Sequence, residues 1–408
     1  MDRKGGMTAM TERLYYQDAY RTDFEGRVLA CVQEKDRWRV LLDRSAFYPT
    51  SGGQPFDTGT LGNARVTDVE VKDGEVWHTA DAPLTPGETV QGRVDWPRRF
   101  DHMQQHAADH MIAGLLHHMY GAVTIGLHIS EEISTIDVAM PEGRVRLSGE
   151  EIASLEEEVN RRVQGDLPIR CWFPGPDELK ALPLRKRPTV SEHVRIVAIG
   201  DYEMVPCGGT HPASTGEIGL IKILFTEPAR GKLRLGFIAG MRAFSEFRRC
   251  YSLLHESAEL FSTSVDNVPG SIRQMSERLN EARIELRQLR RERMLEKLRA
   301  LEADAPALPG GGRLLVLREP LSRPELLEAV TLAVSDMECV ALACGCDPEA
   351  AEFVLGRSPS LSADLNRVFR ACAQITGGRG GGKPDLVQGI APAATLEKVA
   401  ETLRSVPG

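Results

Sequence analysis

Two segments of this chain, roughly a hundred residues apart, are built to meet at one point, and that requirement limits the folds open to it. They are His102-Met-Gln-Gln-His106-Ala-Ala-Asp-His110 and Cys207-Gly-Gly-Thr-His211. On a helix, histidines at i, i+4 and i+8 stack along one face, so either adjacent pair, 102/106 or 106/110, can grip one ion. The second segment sets a thiolate and an imidazole around Gly208-Gly209, where the backbone can turn tightly enough for both side chains to reach the same point. Either segment alone reads as ordinary surface or core residues. Together, their soft N and S donors point to Zn2+.

Length and charge bound the rest. A chain of 408 residues exceeds what one hydrophobic core usually serves, so several domains are expected, and 42% hydrophobic residues supply material for their cores. The formal net charge of -8 excludes a uniformly basic nucleic-acid coat and leaves room only for local basic patches. The eight cysteines are scattered without a disulfide framework, and Met1 to Gln17 contains no apolar signal core, so the cytoplasm is the expected compartment. The longest apolar run, Ile218 to Phe225, is broken by Lys222 and too short for a bilayer, so no membrane partner is expected.

Apolar and polar residues alternate from Phe24 to Trp96 between Gly, Asp and Pro, which predicts a small β-barrel or sandwich over residues 1–96. Pro97 then opens a helix to Tyr120, with Phe100, Met103, Ala107, Met111, Leu115 and Met119 at spacings of three and four. Strands are predicted at Val123 to Ile129, Ser134 to Met140, Val194 to Ile199 and Ile218 to Phe225. A helix follows Ser148, whose capping box is completed by Glu151. Residues 97–240 thus read as an α+β domain that draws its metal ligands from one helix and one loop. Residues 241–305 read as a helical or coiled-coil linker, because Ile272, Met275, Leu279, Ala282, Leu286 and Leu289 keep heptad spacing. Between Glu285 and Arg299 six Arg or Lys face three Glu, either a solvated helix face or a phosphate-contacting surface carrying Arg290 and Arg291. A Pro- and Gly-rich stretch, Ala303 to Arg313, leads into a C-terminal α/β domain, residues 306–408.

Two glycine-rich segments remain. Gly377-Gly-Arg-Gly-Gly-Gly-Lys383-Pro384 falls one residue short of a P-loop, and Pro384 occupies the place of the magnesium-binding hydroxyl, so that reading is rejected. The segment is expected to be either a left-handed turn or a backbone cradle where Arg379 and Lys383 meet phosphate. In the N-terminal domain, Ser51-Gly52-Gly53-Gln54 reads as a turn or as a contact with a ribose-phosphate backbone.

The order SGGQPFDTG, HxxxH helix, CGGTH followed by TGEIGLIKI, and GGRGGGKPDLVQG resembles the editing half of alanyl-tRNA synthetase and, more closely, the free-standing long-form AlaX proteins. The resemblance covers roughly residues 24–390. It implies an α+β multidomain fold of β-barrel, zinc-containing editing domain, helical linker and C-terminal DHH-associated domain. It also implies a hydrolase that clears serine, and possibly glycine, from tRNA charged for alanine. With no aminoacylation core before the barrel, editing without charging is the expectation. The family's Gln-Gln-His, three residues, His pattern falls on His106 and His110, which with Cys207 and His211 form the implied Zn2+ ligands. His102 then becomes a second-shell or phosphate-facing residue. Asp109 departs from the family, whose editing domain has a threonine there, and this puts the amino-acid preference in question.

An aminoacyl ester is already activated, so a positioned water and stabilisation of the oxyanion suffice. Four protein ligands would close the ion as in a structural site; three would leave a position for water. The Gly208 and Gly209 amides are candidate oxyanion donors, Thr210 a candidate to bond the substrate ribose or a metal ligand, and Asp109, Gln54 and His128 candidates for orienting water or reading a serine hydroxyl. tRNA contact is assigned to Ser51, Gly52, Gly53, Gln54, Arg290, Arg291, Arg379 and Lys383, and a homodimer to helix 271–303 with the C-terminal domain. Two rivals stand beside this reading: a zinc-stapled tRNA- or protein-binding module without catalysis, and a zinc hydrolase of another aminoacyl ester.

Overall fold

The computed structural model describes residues 10–188 and 193–405, which form two compact units divided after Glu256. The first unit begins with a closed barrel of six strands: β1 Asp23–Glu34, β2 Arg37–Leu42, β3 Gly59–Leu61, β4 Ala64–Lys72, β5 Glu75–Ala80 and β6 Thr89–Val94. They close in the order β1-β2-β5-β4-β3-β6. Alternate residues such as Val28, Val40, Leu42, Val66, Val69 and Val76 fill its interior, as the period of two along each strand requires. Closure leaves no free strand edge.

Helix α1, Trp96–Tyr120, follows directly, with Pro97 in its first turn and Gly121 ending it in the left-handed conformation at φ 69°. It is the centre of the unit, buried at every position from His102 to Leu116. Met111, Ile112, Leu115 and Leu116 pack against a four-stranded antiparallel sheet and a second helix, α2, Gly149–Gln164. That sheet is made of β7 Val123–His128, β8 Ser134–Ala139, β12 Ile221–Ala229 and β13 Lys232–Ala239, in the order β12-β13-β8-β7. Ser148 caps α2 with the reciprocal Glu151 bonds expected from the sequence. A three-stranded sheet, β9 Ile169–Trp172, β10 Ile196–Ile199 and β11 Glu203–Pro206, delivers the chain to Cys207.

A helix with so many polar residues can be buried only if they find partners, and most do. The Gln105 amide exchanges two bonds with the Ala239 backbone, at 2.9 and 3.1 Å, and Gln104 donates to the Glu217 carbonyl at 2.8 Å. Arg99 is fully buried. Its guanidinium holds Asp57 of the barrel through Nε at 2.9 and 3.0 Å and donates to the Ala19 and Ala46 carbonyls. Asp57 in turn accepts the Tyr48 amide at 2.6 Å, so one ion pair locks the barrel to α1.

Helix α3 spans Met241–Leu260. Most of the second unit is α4 Val268–Ala303 and a five-stranded sheet: β14 Arg313–Arg318, β15 Cys339–Cys344, β16 Ala351–Arg357, β17 Arg379–Lys383 and β18 Leu386–Ala391. Their order is β14-β15-β16-β18-β17, with only the first pair parallel. Helix α5, Arg323–Asp336, joins that pair and covers one face of the sheet through Leu326, Ala329 and Val330. Helices α6 Leu365–Thr376 and α7 Ala393–Ser405 cover the other through Phe369, Leu396 and Val399. The glycine run is not only a turn. Gly377 and Gly378 have positive φ, but Arg379 to Lys383 extend as the edge strand β17, paired with β18. Among the described residues no helix is long and apolar enough to cross a membrane.

Candidate metal centre

The convergence demanded by the sequence occurs in the first unit. His106 and His110, one turn apart on α1, meet Cys207 and His211 from the turn after β11, and one ligand atom of each lies within 4.8 Å of all the others. His106 Nε2 is 3.3 Å from Cys207 Sγ, and His211 Nε2 is 3.4 Å from it. Tetrahedral zinc with bonds of about 2.1–2.3 Å sets its ligand atoms roughly 3.4–3.8 Å apart, so the spacing suits that ion. Both ring nitrogens of His110 and Nδ1 of His211 are buried with no hydrogen-bond partner. Orphaned nitrogens in a dry pocket are costly unless something accepts their lone pairs, and a cation does so. Burial pulls His106 down to about 3 and holds His110 and His211 well below the usual imidazole range, which keeps all three in the neutral, ligating form. Burial also pushes the Cys207 thiol up to about 12. The donor set fits Zn2+.

Gln54 orients the first ligand. It is fully buried; its Oε1 takes the His106 Nδ1 proton at 2.8 Å and the Thr210 amide at 3.1 Å, while its Nε2 donates to Thr210 Oγ1 at 2.7 Å. This fixes the tautomer that leaves Nε2 of His106 facing Cys207. The loop carrying Gln54 is pressed onto the end of β7, where Ile129 donates to the Gly53 carbonyl at 3.0 Å. A Cβ on Gly53 would lie 2.5 Å from the Leu127 carbonyl oxygen, so only glycine fits. The same holds for Gly209, whose added Cβ would lie 2.1 Å from the His106 ring. Arg195, buried, clamps the ligand turn by donating to the Cys207 and Gly209 carbonyls at 3.1 and 2.7 Å.

Several residues take places other than those expected. Gln54 and Thr210 are buried and bonded to each other, and Gln54 also to His106. The Gly209 amide donates to Cys207 Sγ at 3.3 Å, whereas Gly208 is exposed. His102 is buried with an unpartnered Nδ1 and stands outside the four-donor group. His128 is exposed at the end of β7. Asp109 is buried with Oδ1 unpartnered, and burial pushes its carboxyl up to about 7 against the opposing pull of Arg185. Arg185 itself is held by Glu203 at 2.7 Å and by Thr124 at 2.9 Å. Ser51 and Gly52 are exposed, as are Arg290 and Arg291 on α4 and Arg379 and Lys383 on β17. Sequence reasoning passed over Arg99, Arg185 and Arg195, because single arginines far from their partners carry no spacing signal.

A barrel packed on a helix whose two histidines meet a Cys-x-x-x-His turn is a combination shared with proteins that act on charged tRNA. The pattern of the threonyl and alanyl tRNA synthetase second additional domain matches residues 194–235, and that of class II (A) tRNA synthetases matches residues 6–98. The alanyl-tRNA editing protein AlaX-L of Pyrococcus horikoshii is 37% identical over 284 residues, 67% of either chain. The chain belongs to that alanyl-tRNA editing family. The alanine–tRNA ligase of Methanothrix thermoacetophila is 32% identical over 400 residues, 94% of this chain and 42% of that ligase. That of Pyrococcus abyssi is 28% identical over 419 residues, 97% of this chain and 43% of the ligase. The chain thus spans under half the length of these ligases.

Proposed function

We propose that this protein hydrolyses the ester of mischarged tRNA(Ala), chiefly Ser-tRNA(Ala) and also Gly-tRNA(Ala), with Zn2+ held by His106, His110, Cys207 and His211. The observation that carries this reading is the four-donor cluster, in which both His110 nitrogens and Nδ1 of His211 are buried without protein partners and Cys207 lines an open cavity. When bound, Zn2+ supplies a Lewis acid beside the ester. The protein's own groups do the rest. Gln54 holds the His106 ring in one tautomer, and Arg195 holds the ligand turn. The exposed Gly208 amide is the remaining candidate to donate to the developing oxyanion. The free Oδ1 of Asp109 accepts a hydrogen bond from the serine hydroxyl or the substrate ammonium. A group that binds the serine hydroxyl is left unpaired by alanine, and such a mismatch discriminates by orders of magnitude.

The tRNA body is assigned to exposed Ser51 and Gly52 and to Arg290, Arg291, Arg379 and Lys383, whose charges would make binding salt-dependent. The exposed heptad positions Ile272, Met275, Leu279, Leu286 and Leu289 of α4 support pairing with a second copy. Incubation of the purified protein with Ser-, Gly-, Ala- and Thr-tRNA, with and without chelator, tests the reading. Turnover of Ser-tRNA that is lost with chelator and restored by zinc is expected. Turnover of none supports a binding module, and turnover of Thr-tRNA alone supports a different ester hydrolase.

A further inference from the structure

The cavity that opens onto Cys207 differs in character from the rest of the molecule. It has a volume of about 680 Å3, and its lining includes Arg13, His193 and Arg195 but, among the described residues, no Asp or Glu, in a chain whose net charge is -8. Neither arginine pairs with a carboxylate among the described residues. Arg13 donates to the Gly74 carbonyl at 3.2 Å, and Arg195 to the carbonyls of the ligand turn. A cationic hollow in an acidic protein favours an anion.

Its wall is aromatic as well. Tyr16 is fully engaged: the guanidinium groups of Arg195 and Arg13 lie 5.2 and 6.0 Å from its ring centroid, and Tyr15 and Phe173 meet it edge-on at 4.6 and 5.6 Å. Phe173 is not engaged in this way. It is 48% exposed, and its one ring contact among the described residues is the edge of Tyr16. The Tyr16 hydroxyl stands beside the ligand turn, 3.3 Å from where a Cβ on Gly208 would lie. An open aromatic face, an arginine with no carboxylate partner among the described residues and the candidate ligand Cys207 therefore line a single hollow.

We propose that this hollow is the subsite for the 3′-terminal adenosine of the charged tRNA. The base stacks on Phe173, the 5′-phosphate faces Arg13, and the 3′-linked amino acid is directed past Gly208 toward Cys207. This rests on the editing function proposed above. Stacking on an aromatic face suits any base, and a nearby guanidinium holds the phosphate, which is how single-stranded nucleic-acid ends are commonly gripped. Phe173 and Arg13 are thus positioning residues for the ester.

The test is calorimetric titration of the zinc-loaded full chain with AMP and with the trinucleotide CCA, alongside deacylation of Ser-tRNA(Ala). Stacked bases contribute enough that Phe173→Ala should weaken trinucleotide binding by about tenfold or more, with Phe173→Trp restoring it. Arg13→Glu should weaken binding of both ligands and reduce its salt dependence. Zinc content and thermal midpoint should stay at the wild-type values, because both side chains stand at the cavity mouth. Equal binding by wild type and Phe173→Ala, or no binding of CCA by wild type, overturns the subsite. Phe173-dependent binding of CCA without hydrolysis of Ser-tRNA keeps the subsite and overturns the editing function. Hydrolysis untouched by Phe173→Ala overturns the subsite alone.

Discussion

Helices α1 and α4 invert the usual relation between sequence and burial. The first carries Arg, His, Gln and Asp in its middle turns yet is buried from His102 to Leu116; the second carries a heptad of Ile, Met and Leu yet buries only Val268 and Leu298. A polar helix reaches the core when each polar group has a backbone or ionic partner, as Arg99, Gln104 and Gln105 do, or a ligand to bind, as proposed for His106 and His110. An apolar stripe left in water marks a surface awaiting a partner. The proposed chemistry rests on polarity inside, and the proposed self-association on apolarity outside.

The contrast breaks most sharply at the ligands. Cys207→Ala or His110→Ala should remove bound zinc and lower deacylation by more than the roughly 10–100-fold typical of outer-shell partners, as read by metal analysis and single-turnover kinetics. Wild-type zinc content with full activity in either variant would detach the buried imidazoles from function. Gln54→Ala should fall within that 10–100-fold range in zinc affinity or activity, since it removes the tautomer lock and no ligand.

Next comes the ion pair that allows α1 to be buried. Arg99→Met leaves Asp57 charged and unpaired in the interior and should cost about 3–5 kcal/mol in urea unfolding. The double variant Arg99→Met, Asp57→Asn should recover part of that loss, because no charge is then stranded. A comparable effect is expected from pH at the barrel. His78 donates through Nδ1 to the Val40 carbonyl and accepts from Ser45, and burial lowers it to about 4. Its folded pKa lies below the unfolded value of about 6.5, so the unfolded state takes up the proton first, and stability is lost as pH falls from about 6.5 to about 4. His78→Asn should flatten its share of that slope, at most about 3 kcal/mol. The smallest effect belongs to α4. Leu279→Asp with Leu286→Asp should change chemical stability by under about 0.5 kcal/mol per exposed site while lowering the solution mass toward a monomer by light scattering. An unchanged mass would leave the exposed heptad without a role in self-association.

The elements that carry strong periodicity were legible before any coordinates. The Pro97 start and 3-4 spacing of α1, the Ser148 capping box and the long α4 follow from local rules, and so does the meeting of the HxxxH and CGGTH segments. What escaped has physical reasons. Ser51-Gly-Gly-Gln54 looks like an exposed turn, and nothing local shows that Gln54 is drawn inward by a histidine fifty-two residues away. The glycine run has no side chains to alternate, so its strand pairing with Leu386–Ala391 leaves no pattern. Asp57 and Arg99, forty-two residues apart, form a pair that only the closed barrel creates.

The central claim is that the buried donors hold zinc for ester hydrolysis. Metal analysis of the purified chain combined with Ser-tRNA(Ala) deacylation across a chelator titration tests it most directly. The account predicts one zinc per chain and activity that disappears in step with metal loss and returns on adding zinc. Full activity in a metal-free protein would contradict it.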